Sequence, residues 1–159
     1  GRAERREAVL RIIKISTDHE VSVHDFPKGT IQAQNERLRE LIGPRCETYE
    51  HVLPKRLYTE FGVPNGIMRE KGGFVSMLVD GDGISHGLEP NLVGSYLYGT
   101  DEHGHPIVGN ILLIGEKLED EGVEFCGISD RRLGLLYPQM EEMAKKARET
   151  YGNQSHSCS

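Results

Sequence analysis

Residues 88–117, LEPNLVGSYLYGTDEHGHPIVGNILLIGEK, constrain the fold more than any other stretch of the chain. Pro90-Asn91 reads as a helix entry with Pro90 in the first turn, and Leu88, Leu92, Val93, Tyr96 and Leu97 recur at helical intervals over residues 88–98. Gly94 lowers helix propensity, so this helix should be short. Thr100 to His105 then supply a polar turn, and residues 107–115 form the most apolar strand-like segment in the chain. A helix, a tight turn and a buried strand in direct succession require helices packed on a sheet. This stretch is the expected core corner of the fold.

The flanking sequence fits that frame. Residues 9–15 are rich in β-branched side chains, Ser16-Thr17-Asp18-His19 has turn chemistry, and Val21-Ser22-Val23-His24 alternates, so the opening reads as a hairpin. Thr30 can cap a helix carrying Ile31, Leu38, Leu41 and Ile42, which Gly43-Pro44 stops. Residues 46–53 read as an edge strand with polar residues on both faces. Residues 54–73 are broken by Pro and Gly, with a short strand expected near 57–61 and a mobile loop in the middle. Residues 74–79 are a continuous apolar run turned by Asp80-Gly81-Asp82-Gly83, and 123–128 is a further short strand. Leu136, Met140, Met143, Ala144, Ala147 and Tyr151 then make the stripe of a closing helix.

The expected fold is therefore α+β. It is a single small domain over residues 9–151, with a mainly antiparallel or mixed sheet of about five strands. Two helices pack on that sheet, one short helix caps an end, and residues 1–8 and 152–159 are flexible ends. A chain of 159 residues can bury about two-thirds of its unfolded surface, so no stapling is needed.

Charge and composition narrow the partners. With 19 basic against 25 acidic residues the net charge is −6, which disfavours nucleic acid as a partner. No run of 18 apolar residues could cross a bilayer, so a membrane is not an expected partner either. Cys46, Cys126 and Cys158 are odd in number and lack CxxC spacing, as expected of reduced thiols in a cytoplasmic protein. The opening GRAERREAVLRI has no apolar core ahead of a small-residue cleavage site, so a secretory signal is not expected.

Pro90-Asn91, Asp101-x-x-Gly104-x-x-Ile107, and Gly109-Asn110 followed by residues 111–114 and Gly115 resemble a family of short phage, plasmid, bacterial and grass proteins known only as a domain of unknown function. The likeness covers residues 9–128. Through KISTDHEVSVHDFPKGTI and ETYEHVLPKRLY the chain looks most like the plant members. The resemblance implies a compact α+β domain and an intracellular protein, with no agreed activity. Its phage and plasmid members further imply a modulator of host defence or signalling.

Several groups could carry chemistry. His103 and His105, two apart on an extended segment, would point to one side and with His86 could share a single divalent metal, with Asp82 or Asp101 as the carboxylate. An exposed hairpin turn accounts for the same residues. Asp80-Gly-Asp82-Gly begins like a calcium loop, but Ile84 and Asn91 stand where ligands are needed. Gly72-Gly73 lacks phosphate-loop spacing and reads as a strand-entry turn, no Gly-x-Ser-x-Gly elbow is present, and Cys126 reads as a core residue. Asn91 could meet a ligand or cap its helix. Of Tyr96 and Tyr98, at most one is core and the other borders a pocket. Lys55-Arg56-x-Tyr58 is a basic-aromatic group that could contact an anion or simply be solvated.

The reading favoured by these residues is a non-enzymatic binding or regulatory module that needs no cofactor. It would recognise a protein or small-molecule ligand through Asn91, Tyr98, Asp101, His103 and His105. The alternatives are a metal-dependent hydrolase built on His86, His103 and His105, and a structural or oligomerising subunit that docks through Met140 and Met143.

Overall fold

A computed structural model describes residues 10–67 and 69–157, the side chains of residues 151–157 excepted. Val9, Tyr151 as part of the apolar stripe, and the ends at residues 1–8 and 158–159 lie outside what is described.

The elements are β1 (Arg11–Ile15), β2 (Val21–Asp25), α1 (Ile31–Ile42), β3 (Tyr49–Val52), α2 (Lys55–Glu60), β4 (Phe74–Asp80), α3 (Leu92–Tyr98), α4 (Thr100–His103), β5 (Ile111–Glu119), β6 (Gly122–Cys126) and α5 (Asp130–Ser157). The fold is α+β, with one open sheet of six strands. Its order is β2-β1-β5-β4-β3, with β6 also on β5, and every pairing is antiparallel. β5 is the centre: β4 lies along one side, while β1 and β6 follow each other along the other side and meet in an Arg11–Ile128 bridge.

Both faces of the sheet are covered. Side chains alternate, so Ile111 and Leu113 of β5 join Met77, Val93, Leu97 and Met140 on one side. Leu112 and Ile114 join Leu38, Leu41 and Ile42 of α1 on the other. All seven positions of β4 are buried, which is why its sequence is a continuous apolar run instead of an alternating one. Thr30 caps α1 by accepting from Ala33 N–H at 3.1 Å.

Four expected elements differ. The segment near 57–61 is not a strand but lies in and just beyond helix α2, where Leu57 and Phe61 meet the core from one side four residues apart. The Pro- and Gly-rich flanks masked a run of good helix formers. The expected helix at 88–98 begins at Leu92, because Asn91 is its cap and Pro90 forms a bridge to Val108. The central strand starts at Ile111 instead of 107, since Ile107 and Gly109 pair with Asn91 and Glu89. The closing helix runs on to Ser157.

The turn between β1 and β2 is tied to two helices by His19, buried at φ 62°. Its Nε2 accepts from Leu92 N–H at 3.1 Å, satisfying an orphan donor of α3, and its carbonyl accepts from Arg148. Burial, and secondarily the Arg148 cation, push the imidazole below its ordinary value. The folded state thus favours the neutral ring. That contribution is complete above the ordinary value of 6.5 and is lost as pH falls from there through the lower folded value. The thermal midpoint should drop by a few degrees between neutral and mildly acidic buffer. In His19→Gln, whose amide accepts but does not titrate, scanning calorimetry should show a smaller drop.

Candidate functional site

The site is assembled by two turns and an edge strand. At the end of β4 the buried Asp80 carboxylate accepts from Asp82 N–H at 2.8 Å and meets His86 Nδ1 at 3.2 Å, which folds residues 81–87 back across the strand end. At Gly83 a Cβ would stand 2.8 Å from a Val108 side-chain methyl, which would have to shift to admit it. α3 ends at Gly99 in the left-handed region, α4 follows for one turn, and Thr100 Oγ1 donates to the His105 carbonyl at 2.7 Å. These caps fix Tyr98, half-buried, with its ring 5.3 Å from that of His103.

Tyr98 separates two adjoining clefts that share Glu50, Val52 and Tyr98 itself. The first, about 300 Å³, adds Asp80, Asp82 and His105 over an apolar floor that includes Val79 and Ile107. Its lining residues include Glu50, Asp82 and His105 and neither Lys nor Arg; Asp80 also borders it, but its side chain shares the other face with its partner Tyr49 and is held by Asp82 N–H and His86. The second, about 480 Å³, adds His51, Lys55, Tyr58 and His103. Tyr58 is fixed by donating to the Val75 carbonyl at 2.7 Å, and burial pushes its phenol well up.

Of the five residues expected to meet a ligand, Tyr98, His103 and His105 reach these clefts. Asn91 does not. It is fully buried; its Oδ1 accepts from Gly94 N–H at 2.9 Å, and its Nδ2 donates to the carbonyls of Ile15 and Gly109, both at 3.0 Å. With its polar atoms engaged inside the fold, it is a structural clamp. Asp101 is also committed. Arg56 grips both its oxygens at 2.7 Å, which holds the carboxyl below its usual range. The same guanidinium lies 4.4 Å from the Tyr96 ring centre and 3.2 Å from Glu60, while Lys55 pairs with Glu102 at 2.9 Å. The Lys55–Arg56 group thus clasps α2 to α3 and α4.

The metal set His86, His103 and His105 is not brought together. His86 is held by Asp80, His103 lies against Tyr98, and His105 faces the first cleft. His103 ends a helical turn, so the same-side geometry of an extended His-x-His does not apply. Among the described residues no three His, Cys, Asp or Glu side chains form a group that could hold a metal ion.

His86 and Asp80 also border a third cavity, of about 330 Å³, together with Cys46. A thiol, an imidazole and a carboxylate in one cavity invite comparison with cysteine hydrolases. Here, however, the Cys46 thiol donates to the Thr48 carbonyl at 3.3 Å, and burial, then Asp80, push it up to about 11. An activated thiol is shifted the other way.

Phe61, Tyr96, Pro138 and Met143 border an apolar groove of about 530 Å³, while Met140 of the expected docking stripe is fully buried in the core. Among the described residues no helix is long and apolar enough to cross a membrane. Glu50 and Val52 were missed as site residues. The only signal for them was the polar, two-faced composition of the edge strand. Comparison with protein-family models, with curated proteins and with solved structures finds no match to the chain.

Proposed function

We propose that the protein is a non-enzymatic binding module whose ligand occupies the paired clefts on either side of Tyr98. The observation that carries this reading is the first cleft, where Glu50, Asp82 and His105 border an apolar floor with neither Lys nor Arg among the lining residues. Such a surface complements a positively charged group, with the Tyr98 ring available to its flank. The raised Cys46 thiol and the separated imidazoles favour binding over catalysis. We further propose that the chain belongs with the family of unknown function that residues 88–117 resemble, and that it acts in the cytoplasm as a modulator of defence or signalling. The free thiols of Cys46 and Cys126 are in keeping with a reducing compartment.

The test is a heteronuclear NMR titration with arginine amide, using citrate as the acidic control. Arginine amide should shift the backbone resonances of Glu50, Asp82 and His105, and Tyr98→Ala should weaken that binding roughly tenfold. Citrate should leave them unmoved. Shifts confined to the groove at Phe61 and Met143, or no shifts at all, would overturn the proposal.

A further inference from the structure

We propose that the ligand is an extended segment of another protein, which adds as a strand beside β3 and sends a lysine or arginine side chain into the acidic cleft. This rests on the binding-module reading and specifies its occupant.

β3 ends the sheet order, so among the described residues no strand pairs with its outer side. Its register settles which backbone groups are available there. Gly81 N–H donates to the Thr48 carbonyl at 2.9 Å, and Thr48–Gly81 continues the register Tyr49↔Asp80, Glu50↔Val79. Hydrogen-bonded pairs alternate in an antiparallel ladder, so Glu50 and Val52 turn their backbone groups towards β4 while Tyr49 and His51 turn theirs outward. Two outward N–H and C=O pairs on a free edge are the complement of an extended peptide backbone.

The side chains alternate with the opposite result. Glu50 and Val52 project onto the face that carries both clefts, whereas Tyr49 packs on the other face near Phe125. A strand laid along β3 would therefore present every second side chain to the clefts. The residue beside Glu50 would meet the cleft that Asp82 and His105 also line, and a cationic side chain suits that lining. The opposite edge of the sheet, β2, borders neither cleft.

Two variants separate backbone pairing from side-chain contact. His51→Pro removes the outward N–H and leaves the β3–β4 ladder intact, because proline is tolerated on an edge strand when its N–H position faces solvent. His51→Ala removes the imidazole and keeps the N–H. A library of short acetylated, amidated peptides, with each position fixed in turn as Lys, Arg, Glu or Leu, is screened by fluorescence anisotropy against the parent chain.

The expected result is enrichment of Lys or Arg at one position, with the best peptide slowing amide exchange at Tyr49 and His51. Its affinity should fall roughly tenfold in His51→Pro and in Glu50→Lys, and by much less in His51→Ala. Equal binding to parent and His51→Pro, or selection without a basic preference, would overturn the proposal. So would failure of every peptide to bind. If arginine amide still shifts Glu50, Asp82 and His105 in that event, the cleft remains a binding site and only the strand addition fails; if it does not, both readings fall.

Discussion

Asn91→Ala is expected to cost about 3–4 kcal/mol in urea unfolding, a large part of the stability of a domain this size. Asn91 is fully buried and joins three segments. Its Oδ1 caps α3 through Gly94 N–H, and its Nδ2 spans the carbonyls of Ile15 at the end of β1 and Gly109 ahead of β5. Losing an N-cap alone costs about 1 kcal/mol. The larger part comes from two buried carbonyls left without a donor, each at about 1 kcal/mol or more. Asn91→Asp sharpens the test, because it keeps the cap acceptor and loses the donor. Ionised, its carboxylate would face two carbonyl oxygens inside the core, so at neutral pH it should be worse than alanine. Burial raises such a carboxyl, so its deficit relative to the parent should narrow as pH falls and the protonated group can donate. A loss near 1 kcal/mol in Asn91→Ala, with no pH dependence in Asn91→Asp, would reduce the residue to an ordinary cap.

Asn91 also shows where the sequence was legible and where it was not. Its position after Pro90 marked a helix start, and the cap is there. What no local pattern could reveal is that its amide also donates to Ile15 and Gly109, 76 and 18 residues away. The regular elements were readable for physical reasons: β4 and the first half of β5 are largely apolar because both their faces are buried, and α1 is amphipathic because only one of its faces is. α2 was hidden because its helix formers stand between Pro54 and Gly62, where punctuation outweighs a six-residue signal. The site was legible only in part. Tyr98, His103 and His105, which line the clefts, stand out in the sequence because polar residues cluster near one turn. Glu50 and Val52 enter through antiparallel pairing with β4, a long-range fact that periodicity does not carry. The pairing of Asp101 with Arg56 was not legible, because the two lie 45 residues apart.

Gly115→Ala should be at least as damaging as loss of the Asn91 clamp, and its contrast with Gly134→Ala fixes the cause. Gly115 lies in β5 where β4 pairs on one side and β6 ends on the other. A Cβ there would stand 2.3 Å from the Gly127 carbonyl oxygen and 2.6 Å from Gly72 Cα, both backbone atoms that cannot rotate away. The neighbouring glycines make the same demand: Gly72 would meet the Gly127 oxygen at 2.2 Å, and Gly127 would meet Leu10 C at 2.4 Å. Three backbones cross without side chains at this point, held by Gly72 N–H to the Glu116 carbonyl and Ser129 N–H to the Gly72 carbonyl. This crossing lets β6 end and β1 continue along the same side of β5. A methyl group would force the strands apart, so the expected loss is about 3 kcal/mol or more, with exposure of the β1–β5 amides to exchange. Gly134, exposed in α5 with nothing within 4 Å of its Cβ position, makes the opposite case. There alanine should stabilise by about 0.5–1 kcal/mol through helix propensity and a less flexible unfolded chain. If both substitutions are neutral or stabilising in chemical denaturation, the glycine crossing does not position β6 as described.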